Sequence, residues 1–330
     1  MTAWPNRRLL LLVCLALAVP AFTQTCVTAD DMNEGTRSAL TSTAQHYFDL
    51  MAHGDSAGLK QNSVASLASS FDSVDGLVKN SQAKLSQANA NPRPPFLLKV
   101  EPTREQTPGD RAEFLCGVFG AHGQTANSAE FVLSGLTPGS YAVVILDADA
   151  SVITFALQQQ GADWKLAGLY LKDSRAAGHD AVWFEQKANT FKSKSQTRNA
   201  WLYLLEARDL ASPVPFMSTQ LTDRLYDEAQ PVKPTDLPGD SVVDLPAGTK
   251  TYKLIVLYPV GVGDELDLVV KYQSADVSNS VLVFQDNAAV MKALIAKFPE
   301  FRDAFDGVVA RATEPSGKDY GSLMSMKDIK

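Results

Sequence analysis

The chain has 330 residues, 45% of them apolar and 20% charged, with a formal net charge of −7. That length suffices for two or three domains with cores of their own. An acidic chain with no basic stripe argues against nucleic acid and against tight binding to anionic lipid, because both need clustered Lys and Arg.

The first element is an export signal. Arg7 and Arg8 precede an uninterrupted apolar run of 11 residues, Leu9 to Val19, and Pro20 breaks it. A run of that length suits the core of a cleavable signal and falls short of the roughly 20 residues that span a bilayer. Small residues at Val19-Pro20-Ala21, or one register later at Ala21-Phe22-Thr23, place the mature N-terminus near Phe22 or Gln24, so residues 1–23 are read as the signal peptide. Cleavage removes two arginines and no acid, which takes the formal charge from −7 to −9. An uncleaved membrane anchor is one alternative. A lipoprotein modified at Cys26 is another, although Thr25 stands where such sites usually carry Gly, Ala or Ser. No later apolar run reaches membrane length, so no transmembrane segment is expected in the mature chain.

Cys14 leaves with the signal, and Cys26 and Cys116 remain. In an oxidising compartment an isolated pair is expected to form one disulfide. A buried free thiol at Cys116 is the other reading.

Helices come first in the mature chain. Leu40, Ala44, Tyr47, Phe48 and Met51 share one face of a helix over Thr36 to Met51. Gly54 ends it, and Asp55 can cap the next. A third helix is expected from about Val64 to Ala88, with Leu67, Phe71, Val74, Leu77 and Val78 on its apolar side. The Pro-rich stretch Asn91 to Pro95 then forbids helix. Beyond it the pattern has period two. Strands are predicted at Phe96 to Val100, Ala112 to Phe119, Glu130 to Leu133, Ser140 to Leu146, Ser151 to Gln158 and Trp164 to Leu171, with turns at Asp147 to Ala150 and Gln160 to Asp163.

Two or three helices followed by an antiparallel meander resemble the nuclear-transport-factor-2-like, or SnoaL-like, fold. The carrying features are Ala44, Tyr47 and Phe48 in the opening helix and the turn Ala52-His53-Gly54-Asp55 leading to Leu59. The hairpin Val152 to Leu157, Gly161, then Trp164 to Gly168 completes them. The resemblance covers residues 33–173 and implies a curved, cone-like sheet wrapped on a helix. Some relatives use the cone as an active site, with a carboxylate or histidine as general base and a tyrosine polarising a carbonyl, while many only bind. Carried onto this chain, the pocket candidates are His46, Tyr47, Tyr141 and Asp147. Tyr47 lies on the helix's apolar stripe, which suits a core role, and Asp147 lies at a strand end.

Residues 178–228 read as an αα-hairpin. Phe184, Ala188 and Phe191, then Ala200, Leu204 and Ala207 with Pro213 beyond, resemble a single tetratricopeptide repeat. Lys187 departs from that pattern and no second copy follows, so the hairpin is expected to be a helical bridge. Residues 229–249, with Pro231, Pro234, Pro238 and Pro246, read as a linker. Strands are predicted at Thr251 to Tyr258, Leu266 to Gln273 and Ser280 to Phe284. A helix capped by Asp286 and a strand at Gly307 to Ala312 complete a small βββαβ unit over 250–314. A polar tail, 315–330, follows.

Chemical motifs are sparse. His46, His53, His122 and His179 are scattered, with none of the spacings that hold zinc. Asp147-Ala148-Asp149-Ala150-Ser151 opens like a calcium loop but carries Val152 and Gln158 where Gly and Glu are required. Ser81-Gln82-Ala83-Lys84 matches S-x-x-K with no K-T-G after it, G-x-S-x-G is absent, and Gly261-Val262-Gly263 is followed by acids that would repel phosphate. No catalytic, cofactor or metal residue is therefore assigned. The expectation is an α+β protein of the cell envelope, periplasmic or extracellular. Its role would be non-enzymatic binding or scaffolding, with a protein or small molecule as partner. The rivals are a cone-pocket isomerase, hydratase or hydrolase, and a peptide-binding module on residues 180–211.

Overall fold

The computed structural model describes residues 24–101, 111–117, 119–120, 123–124, 128–239 and 241–330. The signal segment and His122 lie outside them. The fold is α+β, with helices and largely antiparallel sheets.

Strand β1 (Gln24–Val27) leads into helix α1 (Glu34–Ala52), whose N-cap Asn33 accepts the Thr36 N–H at 2.8 Å. Asp55 caps the short α2 (Ser56–Gln61) by accepting the Gly58 N–H. The helix expected over 64–88 is broken into α3 (Ala65–Ser69) and α4 (Asp72–Leu85). The hydroxyls of Ser69 and Ser70 both donate to the Ser66 carbonyl, and such local bonding competes with the helical ladder. The break turns Phe71 into the core, where it is 4% exposed.

The strands β2 (Ala90–Pro92), β3 (Phe96–Val100), β4 (Arg111–Cys116), the short pair β5 (Phe119–Gly120) and β6 (Gly123–Gln124), β7 (Ala129–Ser134), β8 (Gly139–Ala148), β9 (Ser151–Gln160) and β10 (Asp163–Asp173) follow. The main sheet runs β1-β3-β8-β9-β10, with β2 also on β8, and all its neighbours are antiparallel. A smaller sheet runs β11-β7-β4, where β11 is Met217–Thr219.

Alternation along β8 explains its almost unbroken apolar sequence. Ala142, Val144 and Leu146 face α1, α2 and α4, while Tyr141, Val143 and Ile145 face β4, β7 and Met217. Side chains alternate across a strand, so a strand covered on both faces reads as continuously apolar.

The later half holds α5 (Ala181–Ser193), α6 (Thr197–Ala211), α7 (Gln220–Ala229), β12 (Val243–Ala247), β13 (Lys250–Val262), β14 (Glu265–Gln273), α8 (Ser280–Lys297), β15 (Gly307–Thr313) and β16 (Asp319–Ser325). Its sheet runs β12-β13-β14-β15-β16. Only β14 and β15 are parallel, joined through α8. The hairpin α5–α6, expected as a bridge, shares one apolar core with this sheet and α8.

Four expectations are corrected here. Ser280 to Phe284, expected as a strand, opens α8. Asn279 caps that helix by accepting the Leu282 N–H, and Val283, Asn287, Val290 and Leu294 continue its buried face. Asp286, expected as a cap, lies inside the helix and bonds Lys250 and Tyr252 instead. The segment 229–249 carries a 3₁₀ turn and β12, and 315–330 carries β16 with Met326 and Ile329 buried after it.

Candidate functional site

The sequence-derived pocket residues do not converge. Tyr47 is 2% exposed, and its hydroxyl donates to the Trp164 carbonyl at 2.8 Å, with the Asn62 carbonyl 3.2 Å away. Burial pushes that phenol up to about 12, helped by nearby Asp163. His46 is exposed beside it in a shallow recess of about 360 Å³ that also touches Asn62, Asp163 and Lys165. Tyr141 faces the opposite side of the sheet. Its hydroxyl donates to the Thr137 carbonyl at 2.9 Å and accepts from Gln158 at 3.2 Å. Asp147 forms a two-point ion pair with Arg93, at 2.6 and 2.9 Å, and is half exposed.

Between the helices and the main sheet, the interior is filled by apolar side chains such as Leu40, Phe48, Met51, Val144 and Phe155. Phe184, Phe191 and Trp201 are 0%, 5% and 7% exposed, so the concave aromatic surface that a peptide groove there requires is not formed by them. Cys26 and Cys116 are joined in a disulfide, with Cα atoms 5.0 Å apart. It fastens β1, at the edge of the main sheet, to β4 of the smaller one.

The site that the geometry does build lies elsewhere. A cleft of about 750 Å³ opens between the first half and the later half. One wall is the end of β10 with Lys172 and Asp173, the turn after it with Arg175, Ala176, Ala177 and Gly178, and Lys84 of α4. The other wall is α6, with Leu205, Glu206, Asp209 and Leu210, and β13 from Tyr258 to Gly261. Ala177 sits at φ 48°, a left-handed conformation that side chains disfavour. The turn is closed by paired backbone bonds between Ala176 and His179. It lies so close to β13 that a Cβ on Gly261 would be 2.5 Å from the Ala177 nitrogen. Only glycine lets the two halves approach that closely at this point.

Most of the cleft's charges are already matched. Lys172 pairs with Asp209 at 2.9 Å, Lys84 pairs with Asp173, and Arg175 donates to the Gly178 carbonyl. Glu206 differs. It forms no side-chain hydrogen bond or ion pair among the described residues. Its carboxyl is pushed up to about 7, first by burial and then by the neighbouring Asp209, against a smaller opposing pull from Lys172. A carboxyl held near neutrality in a cleft is the usual mark of a functional group.

No family model matches this chain, and no curated protein or solved structure does.

The site thus rests on its own residues. No motif announces Glu206, but one signal was present. It lies four positions after Leu202 and four before Leu210, on the apolar stripe of α6. A lone acid at stripe spacing is an inconsistency that folded structure must resolve, by pairing it, protonating it or opening a cavity to it. No helix among the described residues is long and apolar enough to cross a membrane, and they hold no metal-like cluster of His, Cys, Asp and Glu.

Proposed function

We propose that this chain is an exported binding protein of the cell envelope that holds a small molecule in the cleft between α6, β13 and the end of β10. The observation that carries the reading is a cavity of about 750 Å³ that sets Leu205, Leu210 and Pro259 beside charged groups and one carboxyl without a partner among the described residues. Ligand sites have that size and combine apolar surface with placed polar groups. The export part is supported by the basic and apolar start of the chain and by the Cys26–Cys116 disulfide. The nuclear-transport-factor-2-like reading of residues 33–173 is part of the proposal. The packing of α1 and α4 on one face of the meander supports it, and in this chain that domain acts as scaffold, its interior filled.

Native mass spectrometry of the mature chain, purified from its own envelope fraction, tests the reading. The expected result is a non-covalent small-molecule mass that disappears in Ala150→Trp, which adds bulk to the cleft lining. A co-purifying mass unaffected by A150W would place binding elsewhere and sink the proposal.

A further inference from the structure

We infer that the ligand of this cleft is an organic cation, an amine whose ammonium pairs with Glu206 and whose apolar body lies against Leu205, Leu210 and Pro259. The inference rests on the cleft being the binding site.

The chemistry follows from what is matched and what is not. The titratable groups that line the cleft with Glu206 are Asp209 on its own helix, Lys172 and Asp173 from β10, Lys84 from α4, Arg175 from the turn and Tyr258 from β13, and of these Asp209 and Lys172 act on its charge. Lys172 gives its charge to Asp209 and Lys84 to Asp173. Arg175 is exposed, and its side chain is tied to Gly178. An anionic ligand would have to break an ion pair to reach Lys84 or Lys172, and would meet Arg175, which has no carboxylate partner among the described residues, only where that side chain is exposed to water. A cation meets a carboxylate that has none. An ammonium brings three donors and a charge, which an ionised carboxylate accepts strongly. Leu205, Leu210 and Pro259 supply the apolar part of the lining, against which an apolar body on the cation would exclude water from the pair.

The same geometry makes capture depend on pH. In the empty cleft Glu206 holds its proton up to about 7. The cation binds only the ionised form, so below neutrality binding must expel a proton. Affinity then falls about tenfold per pH unit, giving roughly a fiftyfold to hundredfold loss from pH 8 to pH 5 by proton linkage.

Calorimetric titration of the mature chain with hexylamine, hexanol and hexanoate, at pH 5 and pH 8, tests this. Hexylamine is expected to bind best at pH 8, to lose about fiftyfold by pH 5, and to lose tenfold or more with a flattened pH profile in Glu206→Gln. If hexanol or hexanoate binds as well as hexylamine at pH 8, and A150W abolishes it, the cation inference fails while the cleft stands. Hexylamine binding that ignores pH or E206Q also overturns it. If no probe shows binding that A150W removes, the inference and the cleft reading fail together.

Discussion

The Tyr47 hydroxyl donates to the carbonyl of Trp164, 2.8 Å away and 117 positions along the chain. This bond fastens α1 to the start of β10. It gives Tyr47 a structural role, since its proton is donated to backbone and its ring is packed edge-on to Phe155. Tyr47→Phe should keep the fold and lose about 1–2 kcal/mol, the range for a buried hydrogen bond broken on one side. Urea unfolding monitored by circular dichroism checks it. Cleft binding should be unchanged.

The Cys26–Cys116 disulfide closes a loop of 90 positions, for which chain entropy gives an upper figure of about 4–5 kcal/mol. Both cysteines sit in strand pairings made by the backbone and independent of the sulfur bond, Cys26 on Leu98 and Cys116 on Ala129. The C26S/C116S double variant should therefore fold and unfold at markedly lower denaturant, with the loss reproduced by reducing the wild type. Equal midpoints for the reduced and oxidised protein would refute a stabilising role.

The first half was legible because its signals are local. Period-two alternation marked the meander, and Asp55 marked a helix start. The later half hid where edge strands and local polarity interfered. Pro246 made 229–249 read as linker, yet β12 pairs only with β13, and an edge strand tolerates a proline. Ser280 to Phe284 carries a short apolar run rich in β-formers, Val281-Leu282-Val283-Phe284, which suits a strand as well as a helix, and only Asn279 with the later Val290 and Leu294 reveals a helix. The candidate site was the least legible part. Lys84, Lys172, Glu206 and Tyr258 are far apart in the chain, and no motif joins them.

The polar look of residues 315–330 conceals a buried end. Ile329 is 2% exposed, and Arg302 donates to the carbonyls of Met326 and Ile329 at 2.8 and 2.6 Å. Ile329→Ala should cost about 2–4 kcal/mol, as for a core isoleucine. A change within about 0.5 kcal/mol, typical of a surface site, would show that the end is not packed. Thermal unfolding distinguishes the two.

Glu206 should make stability fall as pH rises. Its folded value, about 7, lies above the ordinary 4.5, so the folded state binds more protons than the unfolded between those limits. The stability is fully present below about 4.5 and is lost as pH passes 7. Part of the carboxyl faces the open cleft, so the loss is about 1–2 kcal/mol rather than the full linkage value. E206Q should match the wild type at pH 4.5 and exceed it at pH 8, while binding amines less well. A gain in stability with a loss of binding separates a functional group from a structural one.

Asp267 is a second acid held out of water. It is 1% exposed and neither carboxyl oxygen has a hydrogen-bond partner among the described residues. The side chain lies over Gly307, where a Cβ would be 2.6 Å from Oδ1, so Gly307→Ala must push the acid aside and should cost about 1–3 kcal/mol. Burial raises its proton affinity, and Glu265 and Asp306 add to that. The sign is the same as for Glu206, with stability greatest in acid and lost as pH rises. Asp267→Asn keeps the shape and removes the titration, so it should gain about 1 kcal/mol at pH 8 and nothing in acid. Unlike E206Q, D267N should leave amine binding where it was. Denaturation curves at the two pH values, read beside the calorimetry, check both halves. A pH-independent difference between D267N and wild type would mean that burial does not raise the proton affinity of Asp267.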